Sequence, residues 1–462
     1  MRALALLCVL AAAAVGCQSK APAAPEPAPA PAPTPAPVPA PKAPLAFEEK
    51  LLHTLPEGMD IREILVTPNG SVTAVLIRRG GKMSVISNGS PGEAYDSISD
   101  LRLSPDGSSV AYLAFQGRKG FVVLNGKKGE PFPSVRSLSL SPDGSTVKYV
   151  ARTESGSCHL VLGDRKGEEF DEIEESGGIF SPDGRTVAYR ASRGKKYFVV
   201  FGDRKGDDFD YVGRPAIRRD GQQVAYEAKV GSAENRKSRI IVGDRALKGD
   251  YDFVVGPVFT PDGKVLYAAN RGGRFEEKPI DGLPMSPPLG GTWSIGIGDE
   301  LRDAFRDAEQ IRGGLTVAPD GKTFAYIARI AGQECVILGE RPGPFFASIG
   351  RIGFSPGGKS IVYVAELAES ADKSRNFQLV IDGNQASEVF RFIEGFTMSS
   401  DGNAVALKTH AKSGIQVVVG SHRSEIFDVV YDLNFSPEGR KLAFCARKGR
   451  EIWWKVMDLK GS

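Results

Sequence analysis

At 462 residues the chain is too long for one conventional hydrophobic core, because cores stop growing near about 250–300 residues. It therefore needs several domains or a repeat architecture. Its formal charge of +3 is the small balance of 59 basic and 56 acidic side chains, and no phosphate-cradling loop or basic–aromatic run occurs, which argues against a nucleic-acid partner.

The chain opens with MRALALLCVLAAAAVGC. A charged start at Arg2, a short apolar stretch and small residues ahead of Cys17 make residues 1–16 a secretion signal, too short to span a membrane as a mature helix. Ala14-Val15-Gly16-Cys17 resembles the bacterial lipobox, although leucine is commoner where Ala14 stands. The resemblance implies cleavage before Cys17, lipid attachment at Cys17 and, with Gln18 following, residence at the outer membrane of a Gram-negative cell. Ordinary signal cleavage nearby is the alternative. Three acyl chains, at about 0.8 kcal/mol per buried methylene, hold a protein on a membrane.

Residues 17–45 read as a spacer. The alternation of Pro and Ala across 21–44 supports neither helix nor ladder and has nothing to bury. As polyproline it reaches on the order of 70 Å, at roughly 3 Å per residue.

From residue 46 to 462 one motif keeps returning, as in LRLSPDGSSVAYLAF at 101–115. Its corner places Pro where φ must be preset, Asp where a side chain can bond its own backbone, and Gly where φ turns positive. The flanks alternate apolar and polar residues, which predicts two antiparallel strands. The corner glycines are Gly70, Gly107, Gly144, Gly184, Gly221, Gly263, Gly321, Gly358, Gly402 and Gly439, most often 37 residues apart.

Each copy continues into a third apolar run and a second Gly turn, as in CHLVLGDRKGEEFDEIEE. An aromatic followed by an acid comes next, at Tyr95-Asp96, Phe170-Asp171, Phe209-Asp210, Tyr251-Asp252 and Phe427-Asp428. The aromatic is expected as a core plug and the acid as a turn or edge ligand. One copy thus makes a meander of four strands, A to D. Such a sheet leaves both faces bare unless others stack on it radially. The predicted fold is all-β, a β-propeller of about ten four-stranded repeats, in one ring or in two smaller ones.

GIFSPDGRTVAYRA and PVFTPDGKVLYAA resemble the repeats of TolB-type and WD-like β-propellers, over about residues 46–460. The resemblance implies the fold and says almost nothing about function. The N-terminal α/β domain of TolB has no counterpart here. The last copy supplies three strands, ending in EIWWKVMD, and EEKLLHTL at 48–55 is expected to add the fourth and lock the ring.

Little chemistry is gathered. His53, His159, His410 and His422 fall on different blades or opposite ends of a sheet, so no histidine metal site is expected. There is no G-x-S-x-G elbow, EF-hand or P-loop. Cys158, Cys335 and Cys445 are far apart and read as buried, inert thiols. No catalytic residue, metal or cofactor is expected.

Loop lengths are more informative. The gap between corner and second-turn glycines is 18 or 19 residues in most copies but longer at Gly221–Gly243, Gly263–Gly298 and Gly358–Gly383. The extra residues lie between strands B and C of blades five, six and eight, on one face. The longest insertion, 270–293, is expected to expose Arg274, Phe275, Met285 and Trp293 as partner-binding residues. A loop folded back over its own ring is the other reading. DELRDAFRDAEQI at 299–311 aligns with strand D and is expected as strand, although it also suits a helix. The functional expectation is a membrane-anchored, non-catalytic binder of an envelope protein or glycan. A propeller hydrolase or lyase and a small-ligand sensor are the competing classes.

Overall fold

The repeated corner folds the same way along the chain. The Gly107 N–H donates to the Ser104 carbonyl at 2.9 Å, and the Ser104 N–H donates to the Ser109 carbonyl at 2.9 Å. The Ser104 hydroxyl donates to Asp106 at 2.7 Å and accepts from the Ser109 N–H at 2.9 Å. Asp106 also accepts the Ser108 N–H at 3.0 Å. Serine and aspartate thus satisfy each other and the turn backbone. The same hydroxyl–carboxylate bond joins Ser141 to Asp143, Ser181 to Asp183, Thr260 to Asp262 and Ser399 to Asp401. In blade five Arg218 takes the serine's place, with its Nε 2.9 Å from Asp220.

The corner glycine answers two demands. Gly144 sits at φ +71°, and a Cβ there would stand 2.5 Å from the Ser104 Cβ of the preceding blade. Glycine permits both the left-handed backbone and the close stacking of one corner on the next.

The structure is a computed structural model and describes residues 48–54, 57–67, 73–104, 106–231, 237–275, 287–305, 307–368, 375–436 and 438–459. It contains ten antiparallel sheets and, among the described residues, no helix. Blade two is representative: A is Ser97–Leu103, B is Val110–Gln116, C is Lys119–Leu124 and D opens with Lys127–Lys128. Strand A is split in blade four, into Glu172–Ile173 and Ile179–Phe180, and in blade five, into Tyr211–Val212 and Ala216–Ile217. The 299–311 stretch holds strand, not helix: Glu300–Asp303 is strand D of blade six.

The closing strand is in place. Glu48–Thr54 lies antiparallel to Glu451–Asp458, with Glu48 opposite Val456 and Thr54 opposite Glu451. Lys455, only 3% exposed in its side chain, is held by Glu49 at 2.6 Å and Glu425 at 2.8 Å.

Each blade packs on the next. Val150 and Phe170 of blade three meet Tyr189 of blade four, and Ala225 and Tyr251 of blade five meet Tyr267 of blade six. Ile64, Val75 and Ile77 of blade one share a core with Cys445, Ile452 and Trp454 of blade ten. The contacts run through all ten blades and return to the first, so there is one ring. Strand A is innermost, since A strands of neighbouring blades touch around most of the ring while one edge of each pairs with B.

The aromatic–acid pairs fasten blade to blade. Tyr95 is 1% exposed, exchanges two 2.8 Å backbone bonds with Met83, and meets Tyr112 edge-on at 6.3 Å. A buried aromatic contributes roughly 1.5–3 kcal/mol. Asp96 then accepts the Gly117 N–H of the next blade's B–C turn at 2.7 Å and pairs with Lys82 of its own. Asp171, Asp252 and Asp428 repeat the turn bond to Gly194, Gly272 and Gly449.

Candidate functional site

An antiparallel meander sends every B–C and D–A connection to one face and every A–B and C–D turn to the other. Six blades join B to C through two residues, such as Gly117-Arg118, and blade three uses Thr153–Ser157. Blade five uses 231–236, blade six 272–291 and blade eight 367–376. The enlargement is therefore confined to one face, and its two longest connections belong to blades six and eight.

The blade-six connection has a built base. Asn270 is fully buried; it donates Nδ2 to the Gly290 carbonyl at 2.9 Å and accepts the Gly273 N–H at 3.0 Å. Arg274 and Leu289 exchange two backbone bonds of 2.8 Å. Gln310, which begins strand A of blade seven, donates Nε2 to the Pro287 carbonyl. Phe275 leans edge-on against Phe253 at 6.2 Å. Phe253 begins strand A of blade six, so the loop's described ends run from mid-blade inward toward the axis.

Of the expected partner-binding residues, Arg274 is exposed and Phe275 is half-buried. Trp293 is not exposed, contrary to the sequence expectation: only 4% of it reaches solvent. Strand C begins at Thr292, so Trp293 belongs to the strand and packs with Ile311, Tyr326 and Cys335 between blades six and seven. Its carbonyl accepts the Ala304 N–H at 3.0 Å. Met285 and Cys17 lie outside the described residues.

The same face carries apolar residues that the sequence reading passed over. Phe392 is 46% exposed, Val389 42% and Ile426 38%, all in D–A connections near blade nine. Phe392 meets Phe377 edge-on at 6.2 Å and His410 at 5.0 Å. An aromatic two residues past the plug was the available signal. Phe392 follows Phe390 as Tyr211 follows Phe209 and Phe253 follows Tyr251.

The opposite face is ringed by corner carboxylates. Hydrogen bonds from corner side chains and N–H groups hold Asp106, Asp143, Asp183, Asp220, Asp262 and Asp401 below the usual carboxylate range. They stay ionised and are engaged in turn bonds. Among the described residues no three His, Cys, Asp or Glu side chains converge as metal ligands would. His159 is buried in blade three, while His410 lies 3.4 Å from Glu394 in blade nine. Cys158, Cys335 and Cys445 are buried and unpaired.

Ten radially stacked four-stranded sheets, latched by the first strand, define a ten-bladed β-propeller. No protein family description matches the chain, and no curated protein matches it. Solved structures similar to it are propellers. They include TolB from Acinetobacter baumannii, 19% identical over 53% of this chain and 63% of that one, with a TM-score of 0.25. The β-propeller domain of the Trilobed protease from Pyrococcus furiosus is 14% identical over 63% of this chain and 95% of that one, at 0.34. An oligogalacturonate lyase in complex with manganese is 12% identical over 91% and 98%, at 0.36. The likeness concerns the fold alone.

Proposed function

We propose that the protein is a non-catalytic binding module, held at a membrane by a lipid on Cys17 and set off from it by the 17–45 spacer. It captures an envelope protein or glycan through its B–C face. The observation that supports this most is the one-sided enlargement of the B–C connections in blades five, six and eight, while A–B and C–D turns stay tight. Insertions tolerated at random would fall on both faces. Arg274 and Phe275 at the base of the blade-six loop, and Met285 within the loop, are the proposed contacts. Trp293 supports them from the core.

Deleting residues 272–291 tests the reading. In-cell crosslinking followed by mass spectrometry should lose the captured partner while the thermal midpoint stays within a few degrees of wild type. Unchanged capture would refute the face assignment. Metabolic labelling with a palmitate analogue should mark the wild type and spare Cys17→Ala; equal labelling of both would remove the anchor from the reading.

A further inference from the structure

The innermost strands divide the channel wall electrically. A side chain exposed in the middle of strand A opens to the channel, because one strand edge pairs with B while both strand faces in blades five to seven, and one face in blade eight, meet neighbouring A strands. Across blades five to eight these segments are 211–217, 253–259, 310–317 and 348–354, and they contain no Asp or Glu. Their charged residues are Arg214, Arg312 and Arg351, all exposed. Blades one, two, four and nine place carboxylates on their innermost segments, among them Asp60, Glu63, Asp100, Glu172, Glu175 and Glu394, whereas strand A of blade three has none.

The arginines differ in the same way. On the acidic side each is engaged: Arg62 with Asp60 at 2.6 Å, Arg102 with Asp100 at 3.3 Å, and Arg136 with Glu172 and the Ile173 and Glu174 carbonyls. On the basic side Arg312 is steadied by Glu334 at 3.2 Å. Arg214 and Arg351 have no partner among the described residues. Both stand fourth in their segments, where the pairing of A with B is interrupted. The fourth residues of the two blades between them are Gly256 and Gly313. A Cβ added at Gly313 or Gly353 would meet nothing within 4 Å, so the wall is open there.

Approach is one-sided as well. Corner carboxylates surround the A–B mouth and repel an anion. The B–C mouth above this arc carries the three long connections, and Tyr211 and Phe253 begin strand A there.

We propose that the channel wall of blades five to eight is a binding site for an acidic oligosaccharide, with Arg214 and Arg351 taking its carboxylates. A guanidinium fits a carboxylate with paired hydrogen bonds. The aromatic rings at the mouth suit the C–H faces of pyranoses. The free edge of strand A offers alternating backbone donors and acceptors, which hydroxyls match in both senses. The proposal rests on the B–C-face binding reading and names its ligand class.

Calorimetric titration of the full folded chain with an alginate hexamer tests it, with mannohexaose and hexaglutamate as comparisons. The alginate hexamer should bind, and weaken as salt is raised from about 50 to about 500 mM. Arg214→Gln and Arg351→Gln should each weaken it about tenfold, the loss of one charge-assisted contact, with unchanged thermal midpoints. Arg62→Gln should leave it unaltered. Absent alginate binding, binding indifferent to salt and to both variants, or equal binding of either comparison ligand overturns the proposal. Capture of the envelope partner that survives such a result leaves the B–C-face reading standing.

Discussion

Replacing Gly144 by alanine tests whether the corner glycines serve the ring or only their own turns. Gly144 and Gly126 both have left-handed backbones, at φ +71° and +77°. A side chain in that region costs about 1–2 kcal/mol at either site. The surroundings differ: a Cβ at Gly126 meets nothing within 4 Å, whereas at Gly144 it falls 2.5 Å from the Ser104 Cβ. Ser104 is 1% exposed and held by its bonds to Asp106 and Ser109, so it cannot step aside. Overpacking of this kind adds about 1–3 kcal/mol. Gly144→Ala should therefore cost about 2–5 kcal/mol and Gly126→Ala about 1–2 kcal/mol. Urea denaturation followed by circular dichroism should rank the midpoints wild type, Gly126→Ala, Gly144→Ala. Adding Ser104→Gly to Gly144→Ala removes the atom in the way, so the two changes should cost less together than the sum of their single effects. Equal losses at the two glycines, or full additivity in the double variant, would show that the stacking of corner on corner carries no energy.

Two other measurements probe the ring. Deleting residues 48–54 uncovers Ile452 and Trp454, now 0% and 8% exposed, and takes Glu49 from the buried Lys455. Lys455 keeps Glu425 at 2.8 Å, so the main loss is the strand and the apolar surface it covers; fast hydrogen exchange at 451–458 is expected, and native protection there would contradict the latch. Lys148, 2% exposed, donates to the Gly177 carbonyl at 3.0 Å, and burial pushes its ammonium down to about 8, with Glu174 opposing. Because the folded state holds this proton less tightly than the unfolded chain, the burial penalty is complete below about pH 8 and fades as pH rises toward the unfolded value near 10.5. Relative to Lys148→Met, the wild type should gain up to about 3 kcal/mol between pH 7 and pH 10.5 in urea titrations; a pH-independent difference would refute it.

The corner motif was legible because its physics is local. A turn needs its Ser, Asp and Gly within a few residues, and strands show their period in a single run. That was enough for ten meanders, the aromatic plugs, the closing strand and the strand reading of 300–303. The lengths of the B–C connections were equally local, and the face they decorate follows from meander topology. The candidate site was less legible. The blade-six insertion reads to Trp293 in sequence, yet strand C begins one residue earlier and turns that indole into the core. Phe392 was passed over because its exposure depends on what blades eight and nine leave uncovered.

By itself, the sequence determined the repeat, its four-strand plan and the means of closing the last blade, since each depends on residues close together in the chain or on one strand left without a partner. Only the tertiary structure decided that there is one ring rather than two, and that Arg214 and Arg351 stand without a partner among the described residues while Arg62, Arg102 and Arg136 are engaged. The first depends on how blades far apart in sequence meet around an axis, the second on where side chains point, and no spacing along the chain encodes either.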